Sequence, residues 1–242
     1  MPRPPGHGPE FEIRRQKIID TAASLFASQG YAATSVNDLG RAVGLAKGAL
    51  YYYIGSKENL LIEIQGRVMR PLVARARQIA GLEADPLVRL RLLSESLLTI
   101  IFRRLDHIWV YEHDYRSLTG DELQTLLNQR AEFEQLVMTL LSEAMDRGIL
   151  RAFTPRLAML QFFNLHNHTY QWVQPEGAWD PAYLSQEYCA TLFRGFGAPD
   201  HTLPIVEERA AEFKRSHPGH PLDPEHAWEQ DVVPDSASAA IG

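Results

Sequence analysis

Apolar positions recur along this chain at three- and four-residue spacing, the period of one helix face, and strand-type alternation never persists beyond a few residues. In the segment 12–29 the stripe is Ile18, Ile19, Ala22, Ala23, Leu25 and Phe26, and Gly30 follows where a helix stops. Ser35 is placed to cap a second, short helix whose inner face is Val36, Leu39 and Val43. Gly44 then permits a sharp reversal, Leu45 plugs the corner, and residues 47–53 form a third helix. Two short helices joined by a glycine-bearing turn over 35–54 are a helix-turn-helix.

The same periodicity continues to residue 197 with helix punctuation between segments. Ser56 caps a fourth helix over 57–80, with Pro71 inside it as a bend or break. Asp85-Pro86 opens a fifth to Arg104 through Leu87, Leu90, Leu93, Leu97 and Ile101, a short sixth covers 107–117, and a seventh covers 120–147, closed by Gly148. Thr154-Pro155 and Asp180-Pro181 repeat the cap-plus-proline start, opening an eighth helix to Val173 and a ninth to Phe196. The expected fold is all-α, with about nine helices: a small reading head over 12–72 and a larger helical body over 73–197. Residues 198–242 carry six prolines and nine acids, and are expected to be a mostly disordered tail with at most one short helix over 207–216.

The reading head resembles the DNA-binding domain of the TetR family of bacterial transcriptional regulators. The resemblance rests on Gly30-Tyr31, Thr34-Ser35, Asp38-Leu39, Gly44-Leu45, Lys47-Gly48, Leu50-Tyr51-Tyr52 and Ser56-Lys57-Glu58, in that order. Four positions depart from the family pattern. Ala46 stands where a serine usually caps the recognition helix, a loss of about 1 kcal/mol. Gly40 replaces an alanine, roughly 1 kcal/mol worse in a helix interior. Tyr53 replaces a frequent histidine and Ile54 a frequent phenylalanine. The resemblance implies an operator-binding repressor, with Thr34, Ser35, Arg41, Lys47, Gly48, Ala49, Tyr51, Tyr52, Tyr53 and Lys57 at the DNA. In that reading Lys47 and Lys57 meet phosphates, Thr34, Tyr51 and Tyr52 add hydrogen bonds to the backbone, and Gly48 with Ala49 lets the helix sit deep in a major groove.

Charge changes the picture by region. The net charge of −6 excludes a wholly basic coat, yet residues 1–60 carry seven Lys or Arg against five Asp or Glu. Residues 61–197 carry fourteen against sixteen, and residues 198–242 three against nine, so the helix-turn-helix end is the positive one. A balance of +2 makes phosphate affinity depend on a few placed cations and on helix N-termini rather than on a broad field. The single cysteine, Cys189, excludes an internal disulfide, and its apolar surroundings make it a small buried hydrophobe. With no apolar run near the roughly 18 residues of a membrane span and no hydrophobic leader, a cytoplasmic location without membrane contact is expected.

The body needs a task as well as a core. Its last two helices are apolar around much of their circumference, and pairing them across a twofold axis is the economical use of the second face, with Leu160, Tyr183, Tyr188, Leu192 and Phe193 at a homodimer interface. A homodimer sets two recognition helices on one side, so a pseudo-palindromic operator in double-stranded DNA follows. Large aromatics mixed with polar groups mark an effector site at Trp109, Tyr111, Glu112, Tyr115, Arg116, Phe163, His166, Asn167 and Tyr170. No cofactor is required; through Trp109-Val110-Tyr111, Arg147-Gly148-Ile149-Leu150 and the Trp172 to Pro175-Glu176-Gly177 connection the body resembles TetR-like repressors that respond to acyl-CoA thioesters, which implies a small hydrophobic or acyl-CoA effector, with a neutral aromatic or drug-like molecule as the alternative. His107 with His113 and His166 with His168 have poor spacing for a metal, and no nucleophile elbow, phosphate loop or zinc-protease signature is present, so neither metal nor catalytic residues are expected. The competing reading is a protein-interaction or lipid-sequestering module whose helix-turn-helix survives only as packing.

Overall fold

The computed structural model describes residues 8–197 and 202–217. The chain runs α1 (Pro9–Gln29), α2 (Val36–Val43), α3 (Lys47–Ile54), α4 (Lys57–Ala80), α5 (Pro86–Arg103), α6 (Leu105–His113), α7 (Gly120–Asp146), α8 (Pro155–Asn167), α9 (Pro181–Gly195) and α10 (Thr202–Ser216). Short 3-10 turns occupy Tyr115–Ser117 and Thr169–Gln171, and the described residues contain no strand. None of the described helices is long and apolar enough to cross a membrane.

Three expectations change. Pro71 does not break α4, which continues to Ala80, because a proline removes one backbone donor while its fixed φ remains helical, and buried Leu72, Ala76 and Ile79 hold the second half down. The sixth and eighth helices stop earlier than expected. After His113 the chain tightens so that the Ser117 amide donates to the Asp114 carbonyl at 2.9 Å, and after Asn167 the carbonyl of Thr169 accepts from Trp172 and Val173 at 3.2 and 3.0 Å. Within 198–242, α10 starts at Thr202 and is fifteen residues long, well beyond the expected 207–216; the remainder of that tail lies outside the described residues.

The residues cluster into two compact units. One holds the described residues up to Val73 with Ile100–Glu134 and Thr169–Pro175; the other holds Ala74–Thr99, Gln135–His168 and the described residues from Glu176 onward. The unit that contains the helix-turn-helix therefore also contains α6 and the first part of α7, beyond the 12–72 span drawn from sequence. Its core is Ile18, Ile19, Ala22, Ala23 and Phe26 of α1 with Leu39, Leu50, Ile54, Leu60, Leu61 and Ile64, and α1 packs on α2, α3 and α6. Polar ties join the same elements: Arg67 of α4 reaches Asp20 at 2.7 Å, Arg15 reaches Glu63 at 3.0 Å, and Ser24 is bonded to Asp106.

In the second unit the first thirteen residues of α5 are buried on every side, polar Arg89, Arg91, Ser94, Glu95 and Ser96 included. Such groups are stable inside only when partnered. Arg91 donates to Glu95 at 2.8 Å, to Glu207 of α10 at 2.9 Å and to the Ala182 carbonyl of α9 at 3.0 Å, while Lys214 of α10 donates to Glu95 at 3.0 Å. Val206 and Ala210 complete the attachment, so α10 is an integral part of this unit.

Candidate nucleic-acid interface and effector region

The helix-turn-helix is built by local chemistry. Ser35 accepts from the Asp38 amide at 3.1 Å while the Asp38 carboxylate accepts from the Ser35 amide at 2.9 Å, a reciprocal box that satisfies two otherwise orphaned donors. The Ser35 hydroxyl also donates to that carboxylate at 2.6 Å, and this bond, with the one from the Ser35 amide and the Arg41 guanidinium, holds the Asp38 carboxyl down at about 2. Gly44 adopts φ 67°, the left-handed conformation, and the Leu45 amide then turns back to the Gly40 carbonyl at 2.9 Å. Ala46 makes no side-chain cap for α3, as its lack of a polar atom requires.

Leu50 and Ile54, four residues apart, pin α3 into the core. The opposite face is thereby turned outward, and Lys47, Gly48, Ala49, Tyr51 and Tyr52 are all exposed, Tyr52 by 64 %. Nothing lies within 4 Å of where a Gly48 Cβ would be, so backbone there is open to close approach. A concavity of about 490 Å³ follows the elbow between α2 and α3, with Arg41 and Lys47 among its walls. Exposed Asn37 also lines it, a position that sequence reasoning passed over although it lies two residues after the cap.

The other residues expected at DNA are placed differently. Thr34 is buried, its hydroxyl donating to the Gly30 carbonyl at 2.9 Å, so its side chain shapes the loop before α2 and is not available to a phosphate. Ser35 is exposed, with its hydroxyl engaged in the cap. Tyr53 is half-buried, stacked on Phe11 of α1 at 4.8 Å. Lys57 does not point freely outward either: its ammonium donates to the Tyr31 carbonyl and lies 4.1 Å from the Tyr31 ring centroid, and burial lowers its pKa.

The nine residues marked for an effector are divided between the two units. Trp109, Tyr111, Glu112, Tyr115, Arg116 and Tyr170 belong to the first unit, and Phe163, His166 and Asn167 to the second. In the first, Trp109 is exposed and stacked on His113 at 4.3 Å with Tyr170 edge-on at 5.6 Å. Tyr111 is buried, and Arg130 both donates to its hydroxyl at 2.5 Å and lies over the rings of Tyr111 and Tyr115 at 4.2 and 4.4 Å. Burial pushes the Tyr111 phenol up, which keeps it a neutral hydrogen-bonding group. Glu112 is half-buried, and Arg116 is exposed with Nε donating to Tyr115 at 3.2 Å.

In the second unit His166 is a core residue. It is stacked on Phe162 at 4.2 Å, and its ring nitrogens meet the Ser94 hydroxyl at 2.6 Å and the Phe162 carbonyl at 2.7 Å. Complete burial lowers its pKa to about 4, so the imidazole is neutral at pH 7. Both nitrogens are committed, and Phe163 is buried edge-on against Phe162, so neither side chain has spare capacity for an effector; Asn167 is half-buried. The first unit holds a cavity of about 160 Å³, open to solvent on one side, walled by Ile62 and Gln65 of α4 with Leu118, Thr125, Leu126 and Gln129 from the start of α7 and the turn before it. None of these residues was nominated from sequence.

A family model described as "Bacterial regulatory proteins, tetR family" matches residues 18–64, and one described as "Tetracyclin repressor-like, C-terminal domain" matches residues 83–196. The chain belongs to the TetR family. Among curated TetR-family relatives, the HTH-type transcriptional repressor KstR2 of Rhodococcus jostii is 27 % identical over 192 residues, 77 % of this chain and 92 % of its own length. Among solved structures, the TetR-family regulator PfmR of Thermus thermophilus is 29 % identical with a TM-score of 0.68, over 74 % of this chain and 97 % of that one. AibR, solved in complex with isovaleryl coenzyme A and operator DNA, shares the fold at 24 % identity and a TM-score of 0.66, over 74 % and 98 % of the two chains.

Helices α8 and α9 also sort the expected dimer residues. Leu160 of α8 and Tyr183 of α9 are exposed, as is Leu157. Tyr188 is half-buried, edge-on to the His166 ring at 5.2 Å. Leu192 and Phe193 are buried within the subunit, because α9 turns that side toward its own core, so they have no side-chain area to offer a partner.

Proposed function

We propose that this TetR-family chain is a sequence-specific transcriptional repressor that leaves its operator when a small molecule binds the helical body. The observation that carries the reading is the construction of α3: Leu50 and Ile54 fix the helix from within, and Lys47, Gly48, Ala49, Tyr51 and Tyr52 form an outward face of one cation, two small residues and two phenols. Small residues admit backbone to a major groove, Ala49 is suited to a thymine methyl, and Lys47 is suited to a phosphate. A twofold dimer through the exposed faces of α8 and α9 sets two such helices on successive grooves of a pseudo-palindromic site.

The effector we propose is an acyl-CoA thioester or another hydrophobic metabolite, in keeping with the apolar share of the cavity walls and with the fold shared with AibR. Its binding shifts the equilibrium between two arrangements of the body only in proportion to its preference for one of them.

Fluorescence anisotropy with DNA from upstream of the chain's own reading frame tests the repressor reading. The wild type is expected to discriminate that DNA from random sequence. Lys47→Ala with Tyr52→Ala is expected to raise Kd at least about thirtyfold and to lower the salt slope by about one for each phosphate that is no longer neutralised. Affinity that ignores sequence, or that survives the double substitution, removes the reading.

A further inference from the structure

Gln65 is 98 % buried and lines the 160 Å³ cavity. Its Nε2 donates to the Val110 carbonyl of α6 at 3.1 Å. A carbonyl only accepts, so this bond fixes which end of the amide is nitrogen. The oxygen, Oε1, is then a buried acceptor, and no donor among the described residues meets it. Native interiors rarely keep such an atom without a donor, since its lost hydration is not replaced.

We infer that the cavity seats an uncharged hydrogen-bond donor of the effector, a hydroxyl or an amide N–H carried on a small apolar group, and that Gln65 Oε1 is the acceptor that selects it. The inference rests on the effector-responsive reading above and specifies the chemistry at one end of the ligand. Three features set that chemistry. Ile62, Leu118 and Leu126 supply apolar wall, so the group bearing the donor is itself apolar. The volume is close to the roughly 150 Å³ that holds benzene in an apolar protein cavity, so a ring-sized group fits against Gln65 while the open side, at exposed Thr125, admits the rest of a longer ligand.

Charge supplies the third feature. Asp121 and Glu122 also border the space, and the guanidinium in its wall, Arg70, is bonded to Glu63 at 3.0 Å. A carboxylate or phosphate would therefore meet an amide oxygen and two acids, with no free cation among the described wall residues to balance them. A plain hydrocarbon would leave Oε1 unmet. An acyl-CoA satisfies the site through a pantetheine hydroxyl or amide and keeps its phosphates elsewhere.

Phenol, toluene and benzoate are matched probes, since they carry a donor, a methyl and an anion on one ring. Ligand-observed NMR titration of the full chain is expected to give phenol a Kd about tenfold or more below that of toluene, with benzoate the weakest. Gln65→Met is expected to erase the preference for phenol while toluene still binds; Val110 keeps its helical bond from the Asp114 amide at 2.9 Å in that variant. Thr125→Trp, at an exposed wall position, is expected to abolish binding of both and guards against a folding defect at the buried site. Equal binding of phenol and toluene by the wild type overturns the inference, as does a preference for phenol that survives either substitution. Operator anisotropy on the same samples separates the two readings: lost discrimination with intact operator binding removes only this one, and intact discrimination without operator binding removes only the repressor.

Discussion

A methyl group added at Gly40 would sit 2.8 Å from the Leu45 carbonyl oxygen, closer than Cβ atoms come to backbone. Alanine is the better helix former by about 1 kcal/mol, yet here the gain is opposed by a clash with the turn that orients α3. Gly40→Ala is expected to lower stability by about 1–2 kcal/mol in urea unfolding and to weaken operator binding about tenfold or more, because the recognition helix shifts. The second residue-scale test concerns His166. Above pH 6.5, its ordinary value, the imidazole is neutral in the folded and the unfolded chain alike. Below that, the unfolded chain takes up a proton that the folded chain refuses until about pH 4, so stability is lost as pH falls across that window, by about 3 kcal/mol in all. Replacing the pair together, Ser94→Ala with His166→Phe, is expected to remove most of that loss when unfolding free energies at pH 7 and pH 4.5 are compared.

Elements whose signals are short-range were legible in the sequence. Ser35 and Asp38 are three residues apart, and Gly44 needs only its own φ, so the helix-turn-helix was readable, as were the cap at Asp180 and the missing cap at Ala46. Residues whose role depends on a distant partner were not. Lys57 looks like a surface cation until Tyr31, twenty-six positions away, is seen beneath it, and Leu192 and Phe193 look like a spare apolar face until α9 is seated. The cavity was invisible for the same reason, since its walls come from α4 and the 118–129 segment. α10 was underestimated because what holds it, Arg91 and Glu95, lies more than a hundred residues earlier. Truncation after Gly197 removes Glu207 and Lys214 from that buried cluster and is expected to cost about 2 kcal/mol or more, seen as a fall in Tm of about 4–8 °C. A Tm unchanged by the truncation would show that α10 contributes nothing to the unit.

For the whole molecule, the prediction concerns pairing. Leu160 and Tyr183 are exposed by 41 % and 47 % in the single chain, an arrangement that a twofold partner would cover. Leu160→Asp with Tyr183→Asp is expected to sediment as a monomer where the wild type is a dimer, and to bind operator about a hundredfold more weakly, since two half-sites then no longer share one ligand. A monomeric wild type at micromolar concentration would remove the twofold reading.

The ties from α1 to α6, Ser24 to Asp106 and Asp20 beside His107 at 3.4 Å, would give such a pairing its sensitivity. With α1 riveted at that seam and α3 packed on α1, the reading head steers with a nine-residue spar. In a twofold dimer, a nudge to that spar in each subunit would be amplified by the symmetry into a change in the gap between two heads, and helical DNA, whose grooves recur at a fixed interval of about 34 Å, tolerates little error in such a gap.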